Sequence, residues 1–143
     1  MTHSTEKAYF FKIDTTVKKV RNYLQKQLQI AGIDITVDQW VVIDHLIPSP
    51  GISQNNLASA TAKDPPTITR ILGILIKKGL VERKTATSDR RKQMLFLTEK
   101  GRALHQQAFP IVSNMRNKVW ENLSETDFEQ LVRIIDTIYN NVD

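Results

Sequence analysis

The chain has 143 residues, of which 41% are hydrophobic, and this is enough for one compact domain with its own core. It contains no cysteine, which excludes disulfides, thiolate metal sites and cysteine nucleophiles. No apolar run reaches the roughly 18 residues of a membrane span, and the polar start Met1–Lys7 lacks signal-peptide features, so we expect a cytoplasmic protein without membrane contact.

The net charge of +5 is distributed unevenly. Residues 51–102 hold eleven Lys or Arg against four Asp or Glu, a balance of +7, so the remaining residues carry −2. A basic middle favours a polyanionic partner for that segment, although an ordinary solvated basic surface would have the same composition.

Two helices are predicted in the first third of the chain. Apolar residues recur at intervals of three and four over about residues 5–31, and Gly32 is placed to end that helix. Thr36 is a suitable N-cap for a second helix, which the run Pro-Ser-Pro-Gly at 48–51 closes.

Two further helices are predicted close behind. Ser53 should begin a short third helix, and Asp-Pro-Pro at 64–66 should open a fourth, because proline suits the first helical turn. The fourth helix should end at Lys-Lys-Gly, 77–79. Joined by a short turn, these two helices have the order of a helix-turn-helix.

A β-hairpin is expected next, from strands at Leu80–Lys84 and Gln93–Leu97 that are joined by a polar, basic tip. Thr98 should then cap a long helix to about Val119, which Pro110 interrupts and kinks because proline lacks a backbone donor.

A capping box is predicted before the last helix, from Ser124 and Asp127. No linker or repeat separates the predicted elements, so we expect a single domain over residues 1–143.

The fourth helix is amphipathic when each residue is given about 100° of rotation. One arc is apolar, with Ile68, Ile71, Leu72 and Leu75, and the opposite side holds Pro66, Arg70, Gly73 and Lys77. If the helix enters a DNA groove, Thr67, Thr69 and Arg70 should face bases or phosphates, and free amides at the helix start should attract phosphate.

The fourth helix alone could be an ordinary surface helix, but the hairpin that follows favours DNA binding. Cations near the hairpin tip can neutralise phosphates or enter the minor groove. A helix-turn-helix followed directly by such a hairpin is a winged helix. The predicted DNA-binding residues are Ser53, Gln54, Pro66, Thr67, Thr69, Arg70, Gly73, Lys77, Arg83, Lys84, Arg90, Arg91 and Lys92.

Several short motifs occur together: Gln-Trp at 39–40, Thr-Ile-Thr-Arg at 67–70, Lys-Lys-Gly-Leu-Val-Glu-Arg at 77–83, Ser-Asp-Arg-Arg at 88–91 and Leu-Thr-Glu-Lys-Gly at 97–101. With them the sequence resembles the MarR family of bacterial transcriptional regulators. The resemblance implies that Asp89 and Arg91 shape and anchor the wing and that Arg90 reaches the minor groove. It also implies sequence-specific binding to double-stranded DNA, as a ligand-responsive repressor.

The terminal helices hold more apolar surface than a winged helix needs to cover itself, which predicts a homodimer. The predicted fold is mainly α with a small β-hairpin wing. Its winged helix-turn-helix spans about 36–98, and by the resemblance its dimerisation helices span about 5–31 and 99–141. The alternative is that the terminal helices form a larger monomeric core.

The resemblance also implies a cleft for a small aromatic effector between the dimerisation helices and the winged helix. Tyr23, Trp40, His45 and Phe109 are candidates to line it. Aromatic residues on helical faces can equally be ordinary core.

Rival functions have weaker support. No phosphate loop or nucleophile elbow is present, so we predict no enzyme and no cofactor. Asp44, His45 and His105 could converge on a metal, but without cysteine or a His-x-x-x-His spacing we predict no metal site. The remaining alternative is a winged-helix protein-interaction module without sequence-specific DNA binding.

Overall fold

A computed structural model describes residues 3–85, 88 and 92–143, with side chains described from residue 8 onward within them. The elements of these residues are, in chain order, α1 (His3–Ile30), α2 (Val37–Leu46), β1 (Ile52–Ser53), α3 (Gln54–Thr61), α4 (Pro65–Lys77), β2 (Val81–Thr85), β3 (Gln93–Leu97), α5 (Glu99–Val119) and α6 (Glu125–Asn141). The predicted mainly α fold with a small β wing is confirmed.

The sheet has three antiparallel strands in the order β1-β3-β2. Val81 pairs with Leu97 across the predicted hairpin, and Ile52 pairs with Leu95 on the other side of β3. Strand β1 was not predicted, because two residues are too short to show an alternating pattern. It matters for the site, since it joins the start of α3 to the wing.

The first hairpin strand begins one residue later than predicted. The Leu80 amide donates to the Leu75 carbonyl at 2.9 Å and the Gly79 amide donates to Ile76 at 2.9 Å, so Leu80 belongs to the C-terminal cap of α4. Gly79 has a φ of +76°, the left-handed conformation that this cap needs.

The core lies between α2, α3, α4, the sheet and the adjoining parts of α1 and α5. Residues from six elements have no measurable exposure or almost none: Leu28, Ile43, Leu57, Leu72, Leu95 and Val112. Among the described side chains of α1, Leu24 is the first that is buried, and Val20 and Tyr23 pack against the core from the turn before it. The exposed residues 8–19 extend beyond the core.

Five predicted helix starts are confirmed by side-chain caps that accept a backbone amide: Thr36, Ser53, Asp64, Thr98 and Ser124. The Ser124–Asp127 capping box is also confirmed. These contacts join residues three positions apart, which is why composition and spacing were enough to predict them.

The predicted interruption at Pro110 is wrong, since α5 runs without a break from Glu99 to Val119. Proline removes one intrahelical hydrogen bond, and the hydrogen bonds of the turns on either side are enough to continue the helix. A kink there stays a prediction. None of the described helices has the length and apolarity that crossing a membrane requires.

Candidate nucleic-acid interface

Helices α3 and α4 are joined by a turn of three residues, Ala62, Lys63 and Asp64. Ala62 adopts a left-handed φ of 54°, and the Lys63 amide donates to the Ala58 carbonyl at 3.1 Å, which ends α3. The turn redirects the chain so that α4 packs against α3, as in a helix-turn-helix.

The two faces of α4 agree with the sequence prediction. Ile68, Ile71, Leu72 and Leu75 are buried in the core. Pro66, Thr69, Arg70, Gly73 and Lys77 are exposed, and Thr67 is half-buried. The helix therefore has a polar and cationic face available to a partner.

The prediction that free amides at the start of α4 attract phosphate is wrong. Pro65 and Pro66 have no N–H, the Thr67 amide donates to the Asp64 carboxylate at 3.3 Å, and the Ile68 amide donates to the Asp64 carbonyl at 3.1 Å. The first turn has no backbone donor left for an anion, so any contact of this turn with a phosphate would be made by side chains.

Asp64 also accepts a hydrogen bond from the Thr67 hydroxyl at 2.6 Å. The Thr67 hydroxyl and amide together hold the pKa of the Asp64 carboxyl below its usual value. The carboxylate thus stays charged at neutral pH and acts as a cap, although it is an anion beside the proposed DNA surface.

A chain of side-chain hydrogen bonds joins the wing to the helix-turn-helix. The Arg83 guanidinium donates to Gln54 Oε1 at 3.2 Å, and Gln54 Nε2 donates to Thr69 Oγ1 at 2.7 Å. The Thr69 hydroxyl in turn lies 3.0 Å from the Pro65 carbonyl, to which it donates. The fold thus brings together three predicted DNA-binding residues from β2, α3 and α4.

The other predicted cations are placed separately. Arg70, Lys77 and Lys92 are exposed. Lys84 lies over the Phe96 ring, 5.1 Å from its centroid, and 3.5 Å from a Glu82 carboxylate oxygen.

Ser53 has a local role in the free chain, whereas Gly73 leaves open space on α4. Ser53 Oγ accepts the Asn56 amide at 3.1 Å as the cap of α3. No heavy atom lies within 4 Å of a Cβ built on Gly73, so a partner can approach the backbone there closely. The predicted wing residues Asp89, Arg90 and Arg91 lie outside the described residues.

The end of α4 is attached to the start of α5. The Thr98 hydroxyl donates to the Gly79 carbonyl at 2.6 Å, the Thr98 amide donates to Leu80 at 3.1 Å, and Lys100 Nζ donates to Lys78 at 2.9 Å. A Cβ on Gly101 would lie 2.1 Å from the Leu80 carbonyl oxygen, so only glycine fits this close approach. The motif at 97–101 therefore joins the end of α4 to the start of α5.

Comparison with known proteins identifies this arrangement. A family model described as MarR family matches residues 33–92, which contain α2, α3, α4, β1 and β2. The chain belongs to the MarR family.

Solved structures extend the likeness to the whole chain. A Listeria innocua protein of unknown function is 32% identical, with 99% of this chain and 100% of that chain covered and a TM-score of 0.70. A mutant MarR from E. coli, complexed with operator DNA, is 24% identical, with coverages of 96% and 99% and a TM-score of 0.84. The transcriptional repressor CouR, bound to a DNA duplex, is 24% identical, with 97% of both chains covered and a TM-score of 0.84. The last two show that the MarR fold is shared.

The structure places the four predicted effector residues of this MarR-family chain in different surroundings. Trp40 is buried and stacks on His105, with ring centroids 4.8 Å apart, and His105 is 5.7 Å from the exposed ring of Phe109. Tyr23 lines a separate cleft of about 560 Å³ between α1 and α5. His45 Nδ1 lies 2.7 Å from the Val41 carbonyl.

Sequence reasoning missed His105 as the residue that links Trp40 to Phe109. It also lies 2.9 Å from an Asp44 carboxylate oxygen, 61 positions away in the chain. Asp44 and His105 thus meet, but in the part of the chain described here no three metal-ligating side chains converge.

Proposed function

We propose that this MarR-family chain is a transcriptional regulator that binds specific double-stranded DNA sequences, with α4 in the major groove and the β2–β3 hairpin as the wing. The observation that carries the proposal is the hydrogen-bonded link through Gln54, which holds the exposed face of α4 and the base of the wing together. A helix and a wing held in this way can contact neighbouring grooves of one duplex.

The charge distribution supports the same partner. The exposed cations Arg70, Lys77 and Lys92 belong to the segment 51–102, whose balance is +7, with eleven Lys or Arg and four Asp or Glu. In our assignment Arg70 contacts base edges from α4, and the wing cations contact phosphate or the minor groove. Asp89 and Arg91 keep their proposed role in shaping the wing.

We also propose that the regulator is a homodimer acting in the cytoplasm. Helix α6 has no buried residue in the isolated chain, although its apolar stripe contains Phe128, Leu131, Ile134, Ile135 and Ile138. The start of α1 likewise exposes Phe10, Ile13 and Val17. A second copy that covers these surfaces would present two reading helices to a pseudo-palindromic site.

The experiment that tests the function is a salt-dependent titration of the protein with DNA from upstream of its own gene, against a scrambled duplex of equal length. A sequence-specific regulator should prefer the first duplex by about 10³-fold or more. It should also show log affinity falling linearly with log salt, as phosphate contacts release counterions.

Equal, weak binding to both duplexes should be followed by selection from random sequences. If selection enriches no sequence, the proposal fails, and a protein-interaction role for the winged helix would replace it.

Repression in response to a small aromatic effector is the finer part of the proposal. The exposed Phe109 ring beside the His105–Trp40 stack supports an aromatic ligand there, with Tyr23 and His45 as further candidates. Such a ligand acts only through its differential affinity for the DNA-competent and DNA-incompetent arrangements. A compound that binds tightly and leaves operator affinity unchanged would refute this part.

A further inference from the structure

We propose that Gln54 is a positioning residue, which locks the base of the wing to the recognition helix and so presents Arg83 and Thr69 to DNA as one unit. The inference rests on the proposed function and changes the role of Gln54, which was predicted from sequence as a DNA contact. It is carried by the two hydrogen bonds of the Gln54 side chain, one to a residue 29 positions away and one to a residue 15 positions away.

The donor and acceptor of each hydrogen bond between Arg83 and the Pro65 carbonyl follow from the chemistry of the groups. Arginine can only donate, so the Gln54 atom that meets Arg83 must be the oxygen. The amide nitrogen is then directed at Thr69, whose hydroxyl must accept. The single hydroxyl hydrogen of Thr69 is thereby left for the Pro65 carbonyl, 3.0 Å away. The sequence of donors and acceptors is consistent from Arg83 to the backbone of α4.

This polarity limits what each residue can offer to DNA. Thr69 donates its only hydroxyl hydrogen to the Pro65 carbonyl. It can therefore offer DNA its methyl group or an oxygen lone pair, but no hydrogen-bond donor for a phosphate. Arg83 donates one of its five guanidinium hydrogens to Gln54, and the others remain able to bind a phosphate. We therefore assign phosphate binding to Arg83 and base contact to Thr69, with Gln54 fixing their separation.

Pairwise coupling tests this role. Operator affinity is measured for the parent chain, Gln54→Ala, Arg83→Ala and the double variant, and a second set replaces Arg83→Ala by Thr69→Val. If Gln54 positions its partners, the losses are not additive, and each double variant binds on the order of fivefold or more tighter than the product of single losses predicts. The preference for operator over scrambled DNA should fall in Gln54→Ala.

The matched control is Asn55→Ala, which removes the exposed amide at the next position of α3. We expect its loss, whatever its size, to be additive with that of Arg83→Ala. Unfolding of the same proteins without DNA shows whether each variant folds and whether the coupling exists in the free chain.

The possible outcomes separate this inference from the proposed function. Additive losses in a parent that discriminates operator from scrambled DNA would overturn the positioning role alone. Coupling in unfolding but not in operator binding would overturn it too, because the link would then be merely structural. A parent that shows no discrimination, even after selection, overturns the proposed function first.

Discussion

Two helical glycines have opposite surroundings. A Cβ on Gly101 would lie 2.1 Å from the Leu80 carbonyl oxygen, whereas one on Gly73 would meet nothing within 4 Å. We expect Gly101→Ala to lower the free energy of unfolding by about 1–3 kcal/mol, since neither backbone segment can move freely. Gly73→Ala should raise it by about 0.5–1 kcal/mol.

Chemical denaturation at one fixed protein concentration measures both changes, because stability of a dimer depends on concentration. Gly73→Ala should nevertheless weaken operator affinity if the DNA approaches the α4 backbone closely at this position. Unchanged affinity would show that the duplex does not approach α4 there.

Arg70 and Arg90 are expected to act differently on DNA. Arg70 is exposed on α4, so Arg70→Ala should lower affinity and change the preferred base at one position. Arg90→Ala should weaken binding to all sequences alike and reduce the salt slope by about one. Competition titrations with single-base operator variants, repeated at several salt concentrations, measure both. Losses without a change in preference from either variant would argue against base reading by Arg70.

At the scale of elements, one carboxylate joins three parts of the fold. Asp38 of α2 accepts from Lys63 of the α3–α4 turn at 2.6 Å and from Arg21 of α1 at 2.5 Å. The Lys63 hydrogen bond, together with Arg21 and against a smaller effect of burial, lowers the pKa of Asp38 from its ordinary value of 3.8. We call these two contacts of Asp38 the Asp38 node, and they connect α1 to the helix-turn-helix.

The lowered pKa has a defined consequence for acid stability. The contribution of Asp38 is fully present above its unfolded-state value of 3.8 and is lost as the pH falls through the lower folded value. Asp38→Asn should therefore flatten the loss of stability below about pH 4. Lys63→Met and Arg21→Met should each flatten it in part, because both cations lower the folded-state pKa of Asp38. Denaturation midpoints measured between neutral and acid pH give the stability profile of each variant. Identical profiles for the parent and the variants would show that the Asp38 contacts do not contribute to acid stability.

At the scale of the whole molecule, α6 should determine assembly. Leu131→Asp places a charge in its apolar stripe and is expected to dissociate the dimer, with operator affinity reduced because two joined reading helices become separate. Asn140→Asp is the control, since it lies about 180° around the helix from Leu131. Sedimentation at several protein concentrations measures the mass. A Leu131→Asp variant that stays dimeric would mean that α6 is not part of the interface.

The sequence by itself determined the features that depend on near neighbours in the chain. Helix starts such as Thr36 and Ser124 and the two faces of α4 are contacts or periodicities within a few residues, where side-chain chemistry has few alternatives. The family motifs predicted the winged helix for the same reason, since each is a short segment with its own local geometry.

Only the tertiary structure decided which distant residues meet. Strand β1 exists because Ile52 lies beside Leu95, 43 positions further along the chain. The Gln54 link, the His105–Trp40 stack and the Asp38 node join residues 15 to 65 positions apart. Such contacts depend on how the elements pack, and neither periodicity nor capping preference carries information about that.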